Sequence, residues 1–119
     1  MKNELGHTGE AVAARYYQQR GYLLLGHNFR TRMGELDLIL YKENQLVFAE
    51  VKTRSSTGWG TAAEAVDLHK QRRLIRAAQF YLQNSPFAEA SVRFDVVEVM
   101  PAAKGWQGHC IFDAFQGST

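Results

Sequence analysis

One cysteine, Cys110, stands in the 119 residues, so no disulfide can form within the chain, and a reducing compartment is expected. The longest apolar runs, 22–25 and 46–49, fall far short of the roughly 20 residues that a membrane helix needs, so nothing here should span a bilayer. The opening Met-Lys-Asn-Glu-Leu-Gly-His has no apolar core of a signal peptide, and residence in the cytoplasm is expected. His7, His27, His69 and His109 show no paired ligand spacing with one another or with Cys110, which argues against zinc. Neither a phosphate-binding glycine loop nor a nucleophile elbow occurs. Charge of one sign is not in large excess: the net charge is +2 with pI near 8.8, which permits a nucleic-acid partner without arguing for one. No repeat or low-complexity tract interrupts the chain, and with 45% hydrophobic and 22% charged residues it is ordinary globular material. The length suits one domain covering 1–119.

The pattern of apolar residues then reads as short elements in the order α-β-β-β-α-β-β. Thr8 is a good N-cap for a first helix that carries Val12, Ala13, Tyr16 and Tyr17 on its inner face and stops at Gly21. Residues 22–30 read as a first strand with Gly26 as its candidate interruption, ending in the polar turn 31–34. Residues 35–41 and 46–53 are two further strands, and their short connection predicts a hairpin. A Ser/Thr/Gly-rich loop at 55–61 precedes a long helix with Leu68, Leu74, Ile75, Ala78, Tyr81 and Leu82 on its inner side, stopped by Asn84-Ser85-Pro86. Strands are expected at 92–100 and, at an edge, 110–115. A helix between strands implies a crossover, so the fold class is α/β: an antiparallel three-strand meander plus a parallel crossover strand, flanked by helices.

The third strand places Glu50 and Lys52 two residues apart and therefore on one face, while Val51 points the other way. The hairpin brings Asp37 of the preceding strand beside Glu50. Two adjacent carboxylates repel unless a cation separates them. Mg²⁺ or Mn²⁺ meets that need, because a hard divalent ion takes one or two carboxylates and leaves positions for water and phosphate. Asp37 and Glu50 are thus candidate metal ligands, with the Val51 carbonyl as a further oxygen, and Lys52 a candidate to orient a nucleophile or stabilise growing charge. Glu-x-Lys arises by chance roughly 0.4 times in a chain of this length, so the tripeptide counts only because an apolar β-run and a hairpin aspartate accompany it.

Gly9-Glu10, Asn28-Phe29-Arg30, Gly34-Glu35-Leu36-Asp37-Leu38-Ile39, Phe48-Ala49-Glu50-Val51-Lys52-Thr53-Arg54, Lys70 and Arg93-Phe94-Asp95-Val96-Val97 together resemble the YraN-like family of uncharacterised bacterial proteins, over nearly the whole chain. That family is similar to the PD-(D/E)xK nuclease superfamily, particularly archaeal Holliday-junction resolvases. The resemblance implies a restriction-endonuclease-like core, with Asp37 and Glu50 as metal ligands, Lys52 as the catalytic lysine and Glu10 as a supporting acid from the first helix. Leu36 stands where the superfamily often has Pro before its Asp. An acid such as Glu10 also favours the first turn of a helix through its dipole alone, and Glu35 reads as a surface carboxylate beside a turn.

Lys70, Arg72, Arg73 and Arg76 cluster within two helical turns, close after Lys52 and Arg54, with only Glu64 and Asp67 between. Lys70 and Arg73, with Arg30 and Arg54, are the candidate phosphate contacts, against the usual alternative of a solvated helix face. Trp59, between Gly58 and Gly60, would either stack on a splayed base or anchor its loop. Three functions remain open: a Mg²⁺- or Mn²⁺-dependent endonuclease acting on DNA, including branched or distorted DNA; a non-catalytic nucleic-acid-binding module on the same fold; and, behind these, a protein-interaction domain with no nucleic-acid partner. Nucleic acid, with DNA ahead of RNA, is the expected partner, and pairing of two copies is left open.

Overall fold

The structure, a computed structural model, describes residues 8–54 and 66–115. The loop 55–61, Trp59 included, lies outside the described residues. Helix α1 (Gly9–Gln18) starts at Thr8, whose hydroxyl accepts the Ala11 N–H at 3.3 Å. Strands β1 (Leu23–Arg30), β2 (Glu35–Lys42) and β3 (Gln45–Thr53) follow, then α2 (Leu68–Gln83), β4 (Ser91–Pro101) and β5 (Trp106–Phe115). The order of elements is the one the sequence predicts.

The five strands form one mixed sheet in the order β1-β2-β3-β4-β5. Neighbours are antiparallel except β3 and β4, which the α2 crossover makes parallel. Central β3 is buried on both faces from Leu46 to Glu50, as a strand covered by helices on each side must be. On one face Ala13, Ala14 and Tyr17 of α1 pack on Leu38, Leu40, Val47, Ala49, Val97 and Val99. On the other, Leu74, Ala77 and Ala78 of α2 pack on Ile39, Leu46, Phe48, Phe94 and Val96. Gly9 lets α1 approach closely: a Cβ there would stand 2.6 Å from Thr53 Oγ1 and 2.8 Å from Val99 Cγ2.

The hairpin between β2 and β3 is closed by Lys42 opposite Gln45, with Glu43 and Asn44 both left-handed at φ 50° and 64°. That is the two-residue connection whose twist suits antiparallel strands. Several expectations need correction. Gly26 does not interrupt β1; the strand runs through it with a register shift against β2 between Leu24 and Gly26. Leu68 is not on the inner side of α2 but 61% exposed, because it is the first residue after the Asp67 cap and lies beyond the sheet-facing stripe. Strand β5 begins at Trp106 rather than 110, since a turn in which the Ala102 N–H reaches the Gly105 carbonyl returns the chain to pair with Pro101 at once.

Candidate metal and nucleic-acid site

The β2–β3 ladder runs from Lys42 opposite Gln45 to Leu38 opposite Ala49. Beyond that point the pattern changes. The Val51 N–H, which a continued ladder would direct at a β2 carbonyl, instead donates to Asp37 Oδ2 at 2.9 Å. The neighbouring residue in β1 is also irregular: Asn28 has φ 51°. The flanking Leu36 and Ile39 both join the α2-side core, and Leu38 joins the α1 side, so strict alternation breaks around Asp37. The Asp37 side chain thereby reaches toward β3.

There it meets Glu50, which is 8% exposed. Burial pushes the Asp37 carboxyl up to about 7; the charge of Glu50, a carboxyl–carboxyl hydrogen bond with it and the charge of Glu10 push the same way, against the lowering effect of the Val51 N–H. Glu10, in the first turn of α1, accepts a hydrogen bond from Asn28 Nδ2 at 3.1 Å, and the same amide reaches Glu35 Oε2 at 3.4 Å. Glu35 also faces Arg30 Nε at 3.7 Å. Three acids from α1, β2 and β3 are thus brought to one end of the sheet, with Glu35 tied to Glu10 through Asn28.

On the α2 side, Lys70 Nζ forms an ion pair with Glu50 Oε2. The Lys70 backbone is fixed by its own N–H donating to Asp67 Oδ1 at 2.8 Å, the N-cap bond of α2. Arg73 Nε donates to the Met33 carbonyl at 3.2 Å and clasps the β1–β2 turn against the helix, where Gly34 leaves room. These elements surround an open cleft of about 380 Å³ lined by Glu35, Asp37, Glu50, Asp67, Lys70 and Arg73, among others. Lys52 is exposed two residues beyond Glu50, its Cα in register with Glu98 of β4. The Arg54 guanidinium lies against the fully buried Glu98, with Nε at 2.6 Å, so its charge is engaged at that carboxylate rather than presented to solvent.

The donors fit a hard divalent ion in kind: paired carboxylate oxygens whose mutual repulsion is already expressed in Asp37. Among the described residues no group of three or more His, Cys, Asp and Glu side chains is disposed to hold a metal. Two carboxylates fall within the one or two that a Mg²⁺ ion would take from a protein.

Two residues near this site had no role in the sequence reading. Asn28 was visible as the residue type that best tolerates a left-handed φ besides glycine, but nothing in the sequence says that it bridges Glu10 and Glu35. The fully buried Asp95 accepts from Arg93 Nε and Nη2 at 2.9 Å each, from Tyr17 Oη at 2.6 Å and from the Asp113 N–H at 2.9 Å. Arg93 goes on to Gln45 and to Tyr22. The sequence showed Arg93 and Asp95 as part of a family motif and at a spacing that shares one strand face, but gave them no role; the clamp lies on the α1 side and joins α1 to the sheet.

The profile of Uncharacterised protein family UPF0102 matches residues 9–99. A UPF0102 protein of Caldanaerobacter subterraneus is 46% identical over 98 residues, covering 82% of this chain and 80% of its own. One from Alkaliphilus metalliredigens is 41% identical over 97% of this chain and 100% of its own, and one from Frankia alni 51% identical over 82% of each. A solved structure, that of Pyrococcus furiosus SfsA in complex with Ca²⁺, aligns with a TM-score of 0.37 and 11% identity over 85% of this chain, which spans 57% of that one; a likeness so low carries no argument. The profile match spans the positions of Asp37, Glu50, Lys70 and Asp95, and this chain belongs to UPF0102, the YraN-like family.

Proposed function

We propose that the sheet and its two helices are a restriction-endonuclease-like core and that the protein is a Mg²⁺- or Mn²⁺-dependent endonuclease acting on DNA, of the PD-(D/E)xK kind. The observation that carries this reading is the meeting of Asp37 and Glu50, half-buried and buried, at the end of β2 and β3. Natural cores seldom hold two carboxylates in contact without a reason, because each raises the cost of ionising the other.

Asp37 and Glu50 would hold the ion. The Val51 carbonyl is a third oxygen, since a strand residue's N–H and C=O point the same way and the Val51 N–H points at Asp37. A divalent cation there supplies Lewis acidity toward a phosphoryl oxygen and lowers the pKa of adjacent water. Glu10, held by Asn28, orders the approach to Asp37. Lys52, on the same face as Glu50, orients the attacking water or meets the charge that grows on the oxygens of the phosphorane-like transition state. Arg30, whose side chain is 80% exposed, and Arg73 at the turn beside the cleft are the contacts for the DNA backbone.

Incubating the protein with duplex, single-stranded, flap and four-way-junction DNA in Mn²⁺ tests this. Cleavage by the native chain that disappears in Glu50→Ala and in chelator is the expected result; cleavage surviving Glu50→Ala would belong to a contaminant. The Lys70–Glu50 pair favours a second reading, a nucleic-acid-binding module in which an ammonium permanently takes the cation's place. That reading predicts salt-sensitive binding weakened by Arg73→Ala and indifferent to Asp37→Asn and to chelator.

A further inference from the structure

Lys70 stands where helix electrostatics do not favour it. It is the third residue of α2, in the positive end of the helix dipole, where a cation is disfavoured. Its backbone is pinned by Asp67, while its side chain remains 48% exposed and ends on Glu50, itself 9% exposed in its side chain. What draws the ammonium there is the buried carboxylate of Glu50, which it meets directly. With the ammonium half in water and the carboxylate buried, Glu50 needs a cation beside it, and a divalent ion carrying more charge can take the place of Lys70 there.

We propose that Lys70 is the exchangeable counter-ion of the Asp37–Glu50 site: it neutralises Glu50 while no metal is bound, is expelled from Glu50 by a divalent cation, and is then free to bind a phosphodiester at the cleft. This rests on the metal-site reading above and adds an order of events to it. An ammonium and a divalent ion cannot both sit on Glu50 Oε2, since they repel and compete for the same lone pairs. Once released, the Lys70 ammonium keeps its anchored backbone and lies in the lining of the same cleft as Arg73. Metal binding therefore creates an anion site, and by reciprocity a bound phosphodiester raises affinity for the metal.

The test uses isothermal titration calorimetry of the full chain with Mn²⁺, for the native protein, Lys70→Met, Lys70→Arg and Glu50→Gln, with thermal unfolding to verify that each is folded. Lys70→Met should bind Mn²⁺ about tenfold more tightly than the native chain, as expected when a competing charge is removed, and Lys70→Arg should restore the competition. A short single-stranded oligonucleotide should bind the native chain more tightly with Mn²⁺ than without it, and Lys70→Met should lose that gain. Mn²⁺ affinity that is equal or weaker in Lys70→Met, while Glu50→Gln abolishes binding, would overturn the exchange and leave the metal site standing. Absence of Mn²⁺ binding in both the native chain and Lys70→Met would overturn both. Should a lysine change unfold the protein, Lys70→Gln carries the same comparison with the stem retained.

Discussion

Asp37 accepts the Val51 N–H through Oδ2 at 2.9 Å, so a side chain completes the hydrogen bonding that the β2–β3 ladder leaves off at Leu38 and Ala49. The same carboxyl is half-buried and faces Glu50, and its proton is held up to about 7 chiefly by burial. Below its ordinary value near 3.8, folded and unfolded chains both hold the proton and Asp37 contributes no pH dependence. Between there and about 7 the folded chain keeps a proton that the unfolded chain has lost, so stability falls as pH rises; above 7 the deficit is constant. Urea unfolding in chelator should show a decline on the order of 1–3 kcal/mol across that window. Asp37→Asn should flatten it, and a slope unchanged by that substitution would assign it elsewhere.

Asn28 combines a left-handed backbone with the bridge to Glu10 and Glu35. Asn28→Gly keeps the backbone and loses the bridge; Asn28→Ala loses both. Alanine should therefore be the less stable by about 1–2 kcal/mol in denaturant unfolding, while both weaken Mn²⁺ binding alike. Equal stability would show that the φ of Asn28 is not under strain control.

The Asp95 carboxylate is fully buried and accepts from Tyr17, Arg93 and the Asp113 N–H. Arg93→Ala should cost roughly 3–5 kcal/mol, because it strands a buried charge, and should leave Mn²⁺ affinity untouched in whatever fraction folds. A loss below about 1 kcal/mol would show that the Asp95 carboxylate does not depend on this guanidinium.

Gly9 is tolerated at the α1–sheet contact only because it has no Cβ, given Thr53 Oγ1 at 2.6 Å and Val99 Cγ2 at 2.8 Å from where one would lie. Gly9→Ala should lower stability by about 1–3 kcal/mol through overpacking, despite alanine's better helix propensity. Pairing it with Thr53→Ala should recover part of that loss; an additive double mutant would place the clash elsewhere.

The strands and helices were legible because their signals are local: alternation in 35–41, the apolar run at 46–49, and caps at Thr8 and Asn84. The pairing of Asp37 with Glu50 was legible too, since one short hairpin fixes both register and face. Three things were not. The lattice of bonds on Asp95 joins residues 78 positions apart in the case of Tyr17, which no window of sequence contains. The left-handed φ of Asn28 depends on β2 alongside it. Lys70 read as a phosphate contact because a cation in a basic cluster faces outward by default; that it turns back onto Glu50 follows from the crossover, which carries the α2 N-terminus to the end of β3.

The turn at Glu43 and Asn44 lies about 20 Å along the strand from Glu50, yet it governs whether the acids meet. With two residues between Lys42 and Gln45, Glu50 falls on the α2 side. A one-residue slip of β3 against β2 would turn every β3 side chain to the opposite surface, sending Glu50 under α1 and Val51 toward Lys70. The chemistry at one extremity of the hairpin therefore depends on the register that the left-handed pair Glu43 and Asn44 sets at the other.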